Sequence, residues 1–504
     1  FSKQKPAYEI YQCDWSSDVC SSDLAAALAL SGTALPAQPA AKPAKKAPPL
    51  VYDRVILGGR VVDPSSKLDE VRNVGISGGR IAILTPADIR GRDTINAKGL
   101  VVAPGFIDLH SHAQTAEGYR AQALDGVTTS LELEIGTADV EKWYAERRPS
   151  QLINYGVSAG HLKARTVVMH DTGSFTPVGP GARNAASPAE LSDIMGLIDA
   201  GLRAGAVAVG AGFTYTPGAT HEELLELFTV AARWKTTVHV HIRNGMAGLN
   251  EVLGLQRETK APLHIVHLNS GALAETPEEL KTLTAARAKR EDVTTEAYPY
   301  PAGMTDIASA TIQDMYRGAD DARLSQIEWP ATGERLNRAS FEKYSKQGGL
   351  VAIHSNTEPM VLAAIASPLT MIASDAVLEH GIGHPRAAGT FSRVLGRYVR
   401  EQKALTLTEA IRKMTLLPAQ RLEKRAPVFR SKGRLRSGMD ADVTIFDPAT
   451  VIDRSTYREP ALPPVGISWV LVNGVPVVAR GKAVDGVAPG RPMRAPVGGA
   501  PAAK

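Results

Sequence analysis

Short apolar runs recur through the middle of this chain and alternate with longer amphipathic stretches. Runs of this length, rich in Val, Ile and Thr, predict strands buried in a sheet. The stretches between them, such as HEELLELFTVAARWK, place apolar residues at helical spacing, and Thr220 and Glu223 have the spacing of a capping box. The predicted strands lie at residues 100–109, 127–135, 153–160, 205–212, 236–242, 262–268, 293–298 and 369–374.

Eight strands that alternate with helices over about 270 residues predict an α/β fold, a (β/α)8 TIM-like barrel. A doubly wound open sheet is the competing arrangement. It would need a G-x-G-x-x-G turn after an early strand, and the sequence has none there. We therefore expect a barrel over residues 104–429, with an insertion at about 301–367 that covers its mouth.

Both ends of the ordered region have a different, β-rich pattern. Segments such as YDRVILGGRVVDP and ISWVLVNGVPVVARGKAV are short strands separated by glycine turns. Their similarity predicts a small β-sandwich domain built from residues 50–103 and 430–490 together, beside the barrel. Residues 491–504 are expected to form a flexible tail.

The first 49 residues require a separate interpretation. YQCDWSSDVCSSDL is similar to translated sequencing-adapter read-through, and it contains both cysteines, Cys13 and Cys20. Residues 24–40 resemble the apolar core and cleavage zone of a secretory signal, and a linker follows. An Ala-rich tail is the alternative. The signal interpretation predicts an exported protein, periplasmic or secreted.

Charge and composition narrow the range of partners. The formal net charge is +5 over 504 residues, and the basic residues are dispersed rather than clustered. Such a distribution does not favour a nucleic-acid partner. No segment after the leader reaches the roughly 20 apolar residues that span a bilayer, so no membrane span is expected. The oligomeric state is left open.

Histidine pairs occur at the ends of predicted strands. His110 and His112 alternate after the first strand, so their side chains project from the same face. His241 ends the fifth strand, His267 the sixth, and Asp375 follows the eighth. Because the carboxyl ends of barrel strands form one rim, these groups are predicted to meet there. Imidazole and carboxylate ligands favour a borderline cation such as zinc.

Two carboxylates alternate in the second strand, LELEIG. Glu132 and Glu134 face one way in a strand that should be buried, which is costly unless they are paired or bind a cation. Glu134 lies nearer the rim and is the candidate for a ligand that bridges two metal ions. Glu132 is a candidate for an outer position, behind the metal ligands. The alternative for both residues is that the strand is partly exposed and its charged face is solvated.

Several longer motifs resemble a known family. VVAPGFIDLHSH, ALDGVTT, VHIRN, HIVHL and GMDADVTIFDPATV are similar to the amidohydrolase superfamily, and most similar to its D-aminoacylase branch, the N-acyl-D-amino-acid deacylases. The resemblance implies a hydrolase of C–N bonds that uses one or two Zn2+ ions. It implies a metal-ligand set at the barrel rim, comprising His110, His112, His241, His267 and Asp375.

The resemblance also implies how a substrate is held. Tyr298 and Arg386 match positions that bind a substrate carboxylate, and His161 is similar to a histidine near the site. Two positions depart from the branch. Glu134 stands where the branch usually has a cysteine ligand, and Asn269 stands where it has a lysine that helps to bind the carboxylate.

The predicted reaction is therefore deacylation of an N-acyl-(D-)amino acid, a small molecule with a free carboxylate. Metal-activated water attacks the amide, and Asp375 acts as general base and then general acid. A dipeptidase and a cyclic-amide hydrolase of the dihydropyrimidinase kind are the enzymatic alternatives. A metal-free scaffold of the same fold is the non-enzymatic one.

Overall fold

The computed structural model describes residues 51–499. The predicted adapter-like segment, signal remnant and linker lie outside the described residues. Five strands open the described chain. They are β1 (Val51–Asp63), β2 (Leu68–Ser77), β3 (Arg80–Thr85), β4 (Arg90–Asn96) and β5 (Val101–Pro104).

The central sheet consists of eight parallel strands that neighbour one another in chain order. Each of the eight predicted strands overlaps one of them. They are β6 (Phe106–Asp108), β7 (Val127–Thr137), β8 (Asn154–Gly160), β9 (Val209–Gly212), β10 (Val238–His241), β11 (Leu263–Ile265), β12 (Val293–Ala297) and, after the insertion, β17 (Thr370–Ile372).

The first and last barrel strands meet just beyond their carboxyl ends. Ser111 and Ala376 form a parallel bridge there. The amide of Asp375 donates to the carbonyl of His110 at 2.7 Å, and that of His112 donates to the carbonyl of Ala376 at 2.8 Å. These bonds close the barrel at its rim, which confirms the predicted TIM-like fold. They also fix the first predicted ligand pair beside the last ligand.

The predicted first strand, 100–109, is divided between two sheets at Gly105. β5 belongs to the terminal sheet and β6 to the barrel. A Cβ at Gly105 would lie 2.2 Å from Oγ1 of Thr128, so only glycine lets the chain pass β7 this closely. The apolar run continues through the junction because both pieces are buried, and periodicity alone could not reveal the break.

Strands from the carboxyl end complete the terminal sheet, as predicted for a side domain formed by both chain ends. The nine-stranded sheet has the order β23-β22-β21-β20-β5-β1-β2-β3, and β4 pairs with β1. Its carboxyl-terminal members are β20 (Val443–Phe446), β21 (Ile467–Val472), β22 (Val475–Ala479) and β23 (Lys482–Ala483).

The insertion forms its own small sheet and apolar cluster. Four antiparallel strands have the order β13-β16-β14-β15. Ile312, Tyr316, Phe341 and Val351 are among the side chains buried against one another in its core. The strands are β13 (Gly303–Asp306), β14 (Ile327–Trp329), β15 (Glu334–Arg335) and β16 (Leu350–Ile353), and a separate hairpin after the barrel comprises β18 (Leu378–Glu379) and β19 (Ile382–Gly383).

Helices cover the outer face of the barrel and connect its strands. Within residues 51–499, no helix combines the length and the apolar character needed to cross a bilayer. The helices are α1 (Ala116–Leu124), α2 (Val140–Ala145), α3 (His161–Val168), α4 (Pro180–Arg183), α5 (Pro188–Arg203), α6 (His221–Arg233), α7 (Gly245–Thr259), α8 (Leu268–Ala272), α9 (Thr276–Ala288), α10 (Ala310–Met315), α11 (Asp321–Leu324), α12 (Arg338–Gln347), α13 (Glu358–Ala366), α14 (Arg386–Arg393), α15 (Leu407–Met414) and α16 (Leu416–Leu422).

The prediction of a flexible tail is wrong for residues 491–499. The amide of Met493 donates to the carbonyl of Tyr155 at 2.7 Å, and that of Ala495 donates to the carbonyl of Gly205 at 2.9 Å. Both side chains are buried. The proline- and glycine-rich composition is typical of a linker, but the segment packs along the barrel. It pairs with the part of β8 around Tyr155 that β9 does not reach, and it also bonds to Gly205.

Candidate metal centre

Ligand-type side chains from five barrel strands converge at the rim. His110, His112, Glu134 and Asp375 form one group, and Glu134, His241 and His267 form a second. Within each group the potential ligand atoms all lie within 4.8 Å of one another. Glu134 belongs to both groups, so the structure brings together every residue that the sequence nominated as a metal ligand.

Glu134 occupies the position between the two groups. Its Oε2 lies 2.9 Å from Nε2 of His110 and 3.2 Å from Nε2 of His112. Its Oε1 lies 2.7 Å from Nδ1 of His241 and 3.7 Å from Nε2 of His267. The two oxygens of one carboxylate therefore face different pairs of imidazoles, which is the geometry a bridging ligand requires.

Two of the ligand-type residues have left-handed backbone. φ is +31° at His267 and +51° at Asp375. Residues with side chains rarely adopt such angles, which cost about 1–3 kcal/mol each. This strained backbone lies shortly after the ends of β11 and β17. There it turns the side chains of His267 and Asp375 toward the other ligand-type residues.

A second layer of carboxylates orients the imidazoles from behind. Oε2 of Glu132 lies 2.6 Å from Nδ1 of His112, and Oε1 of Glu296 lies 2.6 Å from Nδ1 of His110. A carboxylate on the far nitrogen fixes the tautomer and strengthens a histidine as a ligand. Glu132 thus has the outer position considered for it.

Sequence reasoning missed Glu296. It is fully buried in β12, and its Oε2 lies 3.0 Å from Nε2 of His264, whose Nδ1 lies 2.7 Å from Oγ1 of Thr294. The only sequence feature that could have indicated Glu296 is a single acidic residue in the apolar run VTTEAY. A lone acid has no distinctive spacing, so only the barrel geometry shows that it faces His110.

Asp108 joins the first and last barrel strands beneath the ligands. Its carboxylate accepts from the amide and the hydroxyl of Ser374, from the amide of His110 and from Gln122. Burial raises the pKa of Asp108 to about 7, against the opposing effect of these hydrogen bonds. The residue holds the backbone that carries His110 and Asp375.

The electrostatics of the centre are dominated by carboxylates. Burial acts against a charged imidazole at His110, yet Asp375, Glu296 and Glu134 together raise its pKa well above the ordinary value. Burial likewise opposes ionisation of Glu134, but the neighbouring histidines hold its pKa well below the usual range. The centre is therefore built around negative charge that a cation can balance.

The second carboxylate oxygen of Asp375 contacts an arginine rather than the histidines. Its Oδ2 lies 2.8 Å from Nη2 of Arg386, which is fully buried and whose guanidinium stacks 4.5 Å from the ring centroid of Tyr298. The Tyr298 hydroxyl is buried without a hydrogen-bond partner among the described residues. Nδ2 of Asn269 donates to the carbonyl of Tyr298 at 3.1 Å, so three of the predicted substrate-binding residues lie together.

His161 has a different environment. It is buried at the start of α3, and its Nε2 lies 2.7 Å from Oε1 of Glu223, which also pairs with Arg165 at 2.6 Å. It belongs to neither ligand group. Thr220 caps α6 as predicted, but the Glu223 carboxylate turns to His161 and Arg165 instead of closing a capping box.

Two cavities open beside the ligand groups. One of about 480 Å³ is lined by His112, Glu132 and, from the insertion side, Gly349 and Leu350. Another of about 1000 Å³ is lined by His241 on the opposite side. Both volumes suit a small molecule, and the insertion forms part of the wall at the barrel mouth.

The donor set fits one or two divalent transition-metal ions. Four imidazoles and two carboxylates are the ligand types that zinc takes, and each group offers three or four of them to a common point. Bound cations would replace protons on His110 and His112 as the charge that balances the carboxylates. The fit rests on the convergence of these side chains.

A barrel with histidine and carboxylate ligands at its carboxyl rim and a terminal β domain defines the class of metal-dependent barrel hydrolases. Comparison with known proteins gives the family. Residues 93–367 and 199–478 match the amidohydrolase family. This chain belongs to that family.

The relatives support the D-aminoacylase branch. An N-acyl-D-glutamate deacylase of Alcaligenes xylosoxydans xylosoxydans is 33% identical, over 89% of this chain and 98% of that protein. A D-aminoacylase of the same organism is 30% identical, over 84% and 94%. The crystal structure of N-acyl-D-glutamate deacylase from Bordetella bronchiseptica, complexed with zinc and a phosphonate inhibitor, is 28% identical with a TM-score of 0.75, over 88% of this chain and 100% of that one. The predicted branch is confirmed.

Proposed function

We propose that this chain is a zinc-dependent deacylase that hydrolyses the amide bond of N-acyl-D-amino acids. Two features carry the proposal: a carboxylate, Glu134, lies between two histidine pairs, and the aspartate of the first group contacts a buried arginine. The first feature supports a hydrolytic metal centre, and the second supports recognition of a free carboxylate. The deacylase relatives support the same substrate class.

The proposed metal ligands are His110, His112, Glu134, His241, His267 and Asp375, which suffice for one or two ions. When bound, zinc supplies Lewis acidity that polarises a carbonyl and lowers the pKa of water toward neutrality. Glu132 and Glu296 keep His112 and His110 in the orientation that presents Nε2 to the site.

Asp375 is proposed to move the proton. Burial favours its neutral form, but Arg386 and His110 hold the pKa of Asp375 below its usual range, so it is ionised at neutral pH. An ionised carboxylate at this position accepts a proton from the attacking water as general base. It then delivers that proton to the leaving nitrogen of the amino acid.

Arg386 and Tyr298 are proposed to bind the substrate carboxylate. Nε and Nη1 of Arg386 are buried without a hydrogen-bond partner among the described residues, and so is the Tyr298 hydroxyl. Unsatisfied buried donors gain most from an anionic partner. Asn269, where the branch has lysine, adds no charge, so Arg386 is the principal cation for this role.

The test combines metal analysis of the purified protein with a hydrolysis screen. The screen compares N-acetyl D- and L-amino acids, isoaspartyl dipeptides and hydantoins. We expect stoichiometric zinc and release of acetate from the D-substrates. Hydrolysis of hydantoins alone would contradict the carboxylate role of Arg386, and isoaspartyl dipeptides as the preferred substrate would establish the dipeptidase alternative.

We also propose that the protein is exported to the periplasm or secreted, because residues 24–40 have the composition of a signal-peptide core and cleavage zone. Fractionation of the native host with an antibody against the protein tests this. Detection in the cytoplasmic fraction only would contradict it.

A further inference from the structure

A separate cavity of about 440 Å³ lies at the opposite end of the barrel. Its wall includes Thr237, just before β10, Asp292, just before β12, and Leu369, just before β17. His241 and Asp375, two of the candidate metal ligands, lie at or just beyond the carboxyl ends of β10 and β17, at the other end of the barrel. No proposed catalytic or substrate-binding residue lines the cavity.

Six cationic side chains line this cavity. One carboxylate, Asp292, lines it with them. Positively charged side chains on one concave surface repel one another unless anions lie among them. A concave wall also focuses their electrostatic field into the cavity. The six are contributed by Lys235, Arg287, Arg412, Arg421, Lys424 and Arg425.

The carboxylates nearby neutralise only part of this charge. Oδ1 of Asp292 lies 2.5 Å from Nη1 of Arg421, and its Oδ2 lies 3.8 Å from Nζ of Lys424. Arg412 pairs with Glu409 at 2.7 Å. Lys235, Arg287 and Arg425 form no ion pair within the described part of the chain, so the lining keeps a clear excess of positive charge.

Arg421 is the buried component of the lining. Its side chain is 5% exposed, and Nε and Nη2 are buried without a hydrogen-bond partner among residues 51–499. These two nitrogens form the edge of the guanidinium that binds two oxygens of one anion at once. Asp292 pairs with Nη1 only, and the two N–H groups that remain unpartnered at this depth are costly, so an oxyanion nearby would stabilise the buried guanidinium.

Burial affects the neighbouring cation as well. It lowers the pKa of Arg425 to about 10, with no carboxylate acting in the opposite direction. The Arg425 guanidinium instead donates to the carbonyls of Leu202 and Ala206, at 2.5 and 3.3 Å. Carbonyls hold the group in place but do not neutralise it.

We propose that this cavity is a binding site for a small oxyanion with two or more negative charges, such as phosphate, a phosphate monoester or a dicarboxylate. Arg421 supplies the buried positive charge of the site, and the exposed lining cations Arg287 and Lys424 neutralise the remaining charge of the anion. The site is independent of the metal centre and of the proposed deacylase function.

Calorimetric titration of the zinc-loaded protein with sodium sulfate and sodium phosphate, against sodium chloride at equal ionic strength, tests the proposal. The variant Arg287→Gln/Lys424→Gln removes two exposed lining charges without disturbing a buried group. The matched control Lys289→Gln/Arg290→Gln removes two exposed charges that do not line the cavity. We expect saturable dianion binding that is weakened by about tenfold or more in the lining variant and unchanged in the control.

Equal weakening in both double variants would show a nonspecific charge effect and overturn the proposal. Sulfate binding that neither variant alters would place the anion elsewhere, for example at Arg386, and would also overturn it. If neither sulfate nor phosphate shows saturable binding, the proposal is likewise overturned. A parallel titration with succinate distinguishes a phosphate-type ligand from a dicarboxylate, according to which binds more tightly.

Discussion

Oε1 of Glu134 lies 2.7 Å from Nδ1 of His241, across the barrel mouth from the His110–His112 pair. This contact joins β7 to β10 at the rim and places one carboxylate between two histidine pairs. The branch resemblance placed a cysteine at the corresponding position. A carboxylate offers a separate oxygen to each of two ions, whereas a thiolate must share one sulfur between them, so the substitution bears directly on how two ions would be bridged.

Glu134→Gln should therefore lose at least half of the bound metal. The amide keeps the shape of the side chain but removes the charge and one acceptor, and we expect kcat/KM to fall on the order of a hundredfold or more. Elemental analysis and kinetics measure both. Glu279→Gln, a buried isosteric change outside the centre, should keep full metal content, and unchanged metal in Glu134→Gln would remove this residue from the ligand set.

Asp375→Asn should retain the metal held by the His241 group yet lower kcat by about 10²–10⁴, the usual contribution of a positioned general base. KM should change little because the Arg386 guanidinium stays in place. Steady-state kinetics with an N-acetyl-D-amino acid, normalised to bound metal, is the measurement. A kcat within a few-fold of wild type would assign the proton transfer to another group.

Arg386→Lys should act mainly on KM. Lysine keeps the charge beside Asp375 but loses the planar guanidinium that stacks on Tyr298, so we expect KM for a free-carboxylate substrate to rise by about tenfold or more. The same substrate with its carboxylate converted to a primary amide should be affected far less. If both substrates lose activity equally, Arg386 acts through Asp375 and does not bind the carboxylate.

Glu296→Gln should weaken metal affinity by about 10- to 100-fold, since the carboxylate fixes the tautomer of His110 through a 2.6 Å contact. Competition with a fluorescent chelator gives the affinity. Thr294→Val, which removes the next hydrogen bond along the barrel interior, should have a smaller effect. The opposite order of effects would indicate that the interior hydrogen bonds, not the orientation of His110, control the metal.

Glu279 should make stability depend on pH. Burial, reinforced by nearby Glu275, raises the pKa of this carboxyl from 4.5 to about 8 in the folded protein. Between these values the folded state binds a proton that the unfolded chain has released, so the free energy of unfolding falls as pH rises through that window. Glu279→Gln should thus gain stability relative to wild type at pH about 8.5 but not at pH about 4.5.

Thermal or urea unfolding of both proteins at the two pH values checks this. Glu278→Gln, a change at an exposed neighbour, should show no pH-dependent difference from wild type. A stability difference for Glu279→Gln that stays constant across the window would mean that the carboxyl is ionised in the folded state.

The barrel could be predicted because its strands are buried on both faces. Such strands appear as short apolar runs, and their alternation with amphipathic helices allows few arrangements. The candidate metal ligands could be predicted because the carboxyl ends of parallel strands share one rim. His110, His112 and Glu134 could thus be grouped with His241, although more than a hundred residues separate them.

Other features of the structure could not be predicted from the sequence pattern. The break at Gly105 divides one continuous apolar run between two sheets, and hydrophobicity is the same on both sides of it. Glu296 and the docked segment after Gly490 carry no periodic signal. The sequence also grouped His161 with the substrate site, and the structure places it with Glu223 and Arg165.

The amino-acid sequence by itself determined the fold class, the order of the strands and the candidate ligand residues, because periodicity and strand-end position are local properties of the chain. Only the tertiary structure decided which carboxylate stands between the histidine pairs, which acids orient the imidazoles, and that cations collect at the far end of the barrel. These are relations between side chains distant along the chain, and their distances are set by how the strands close into a barrel.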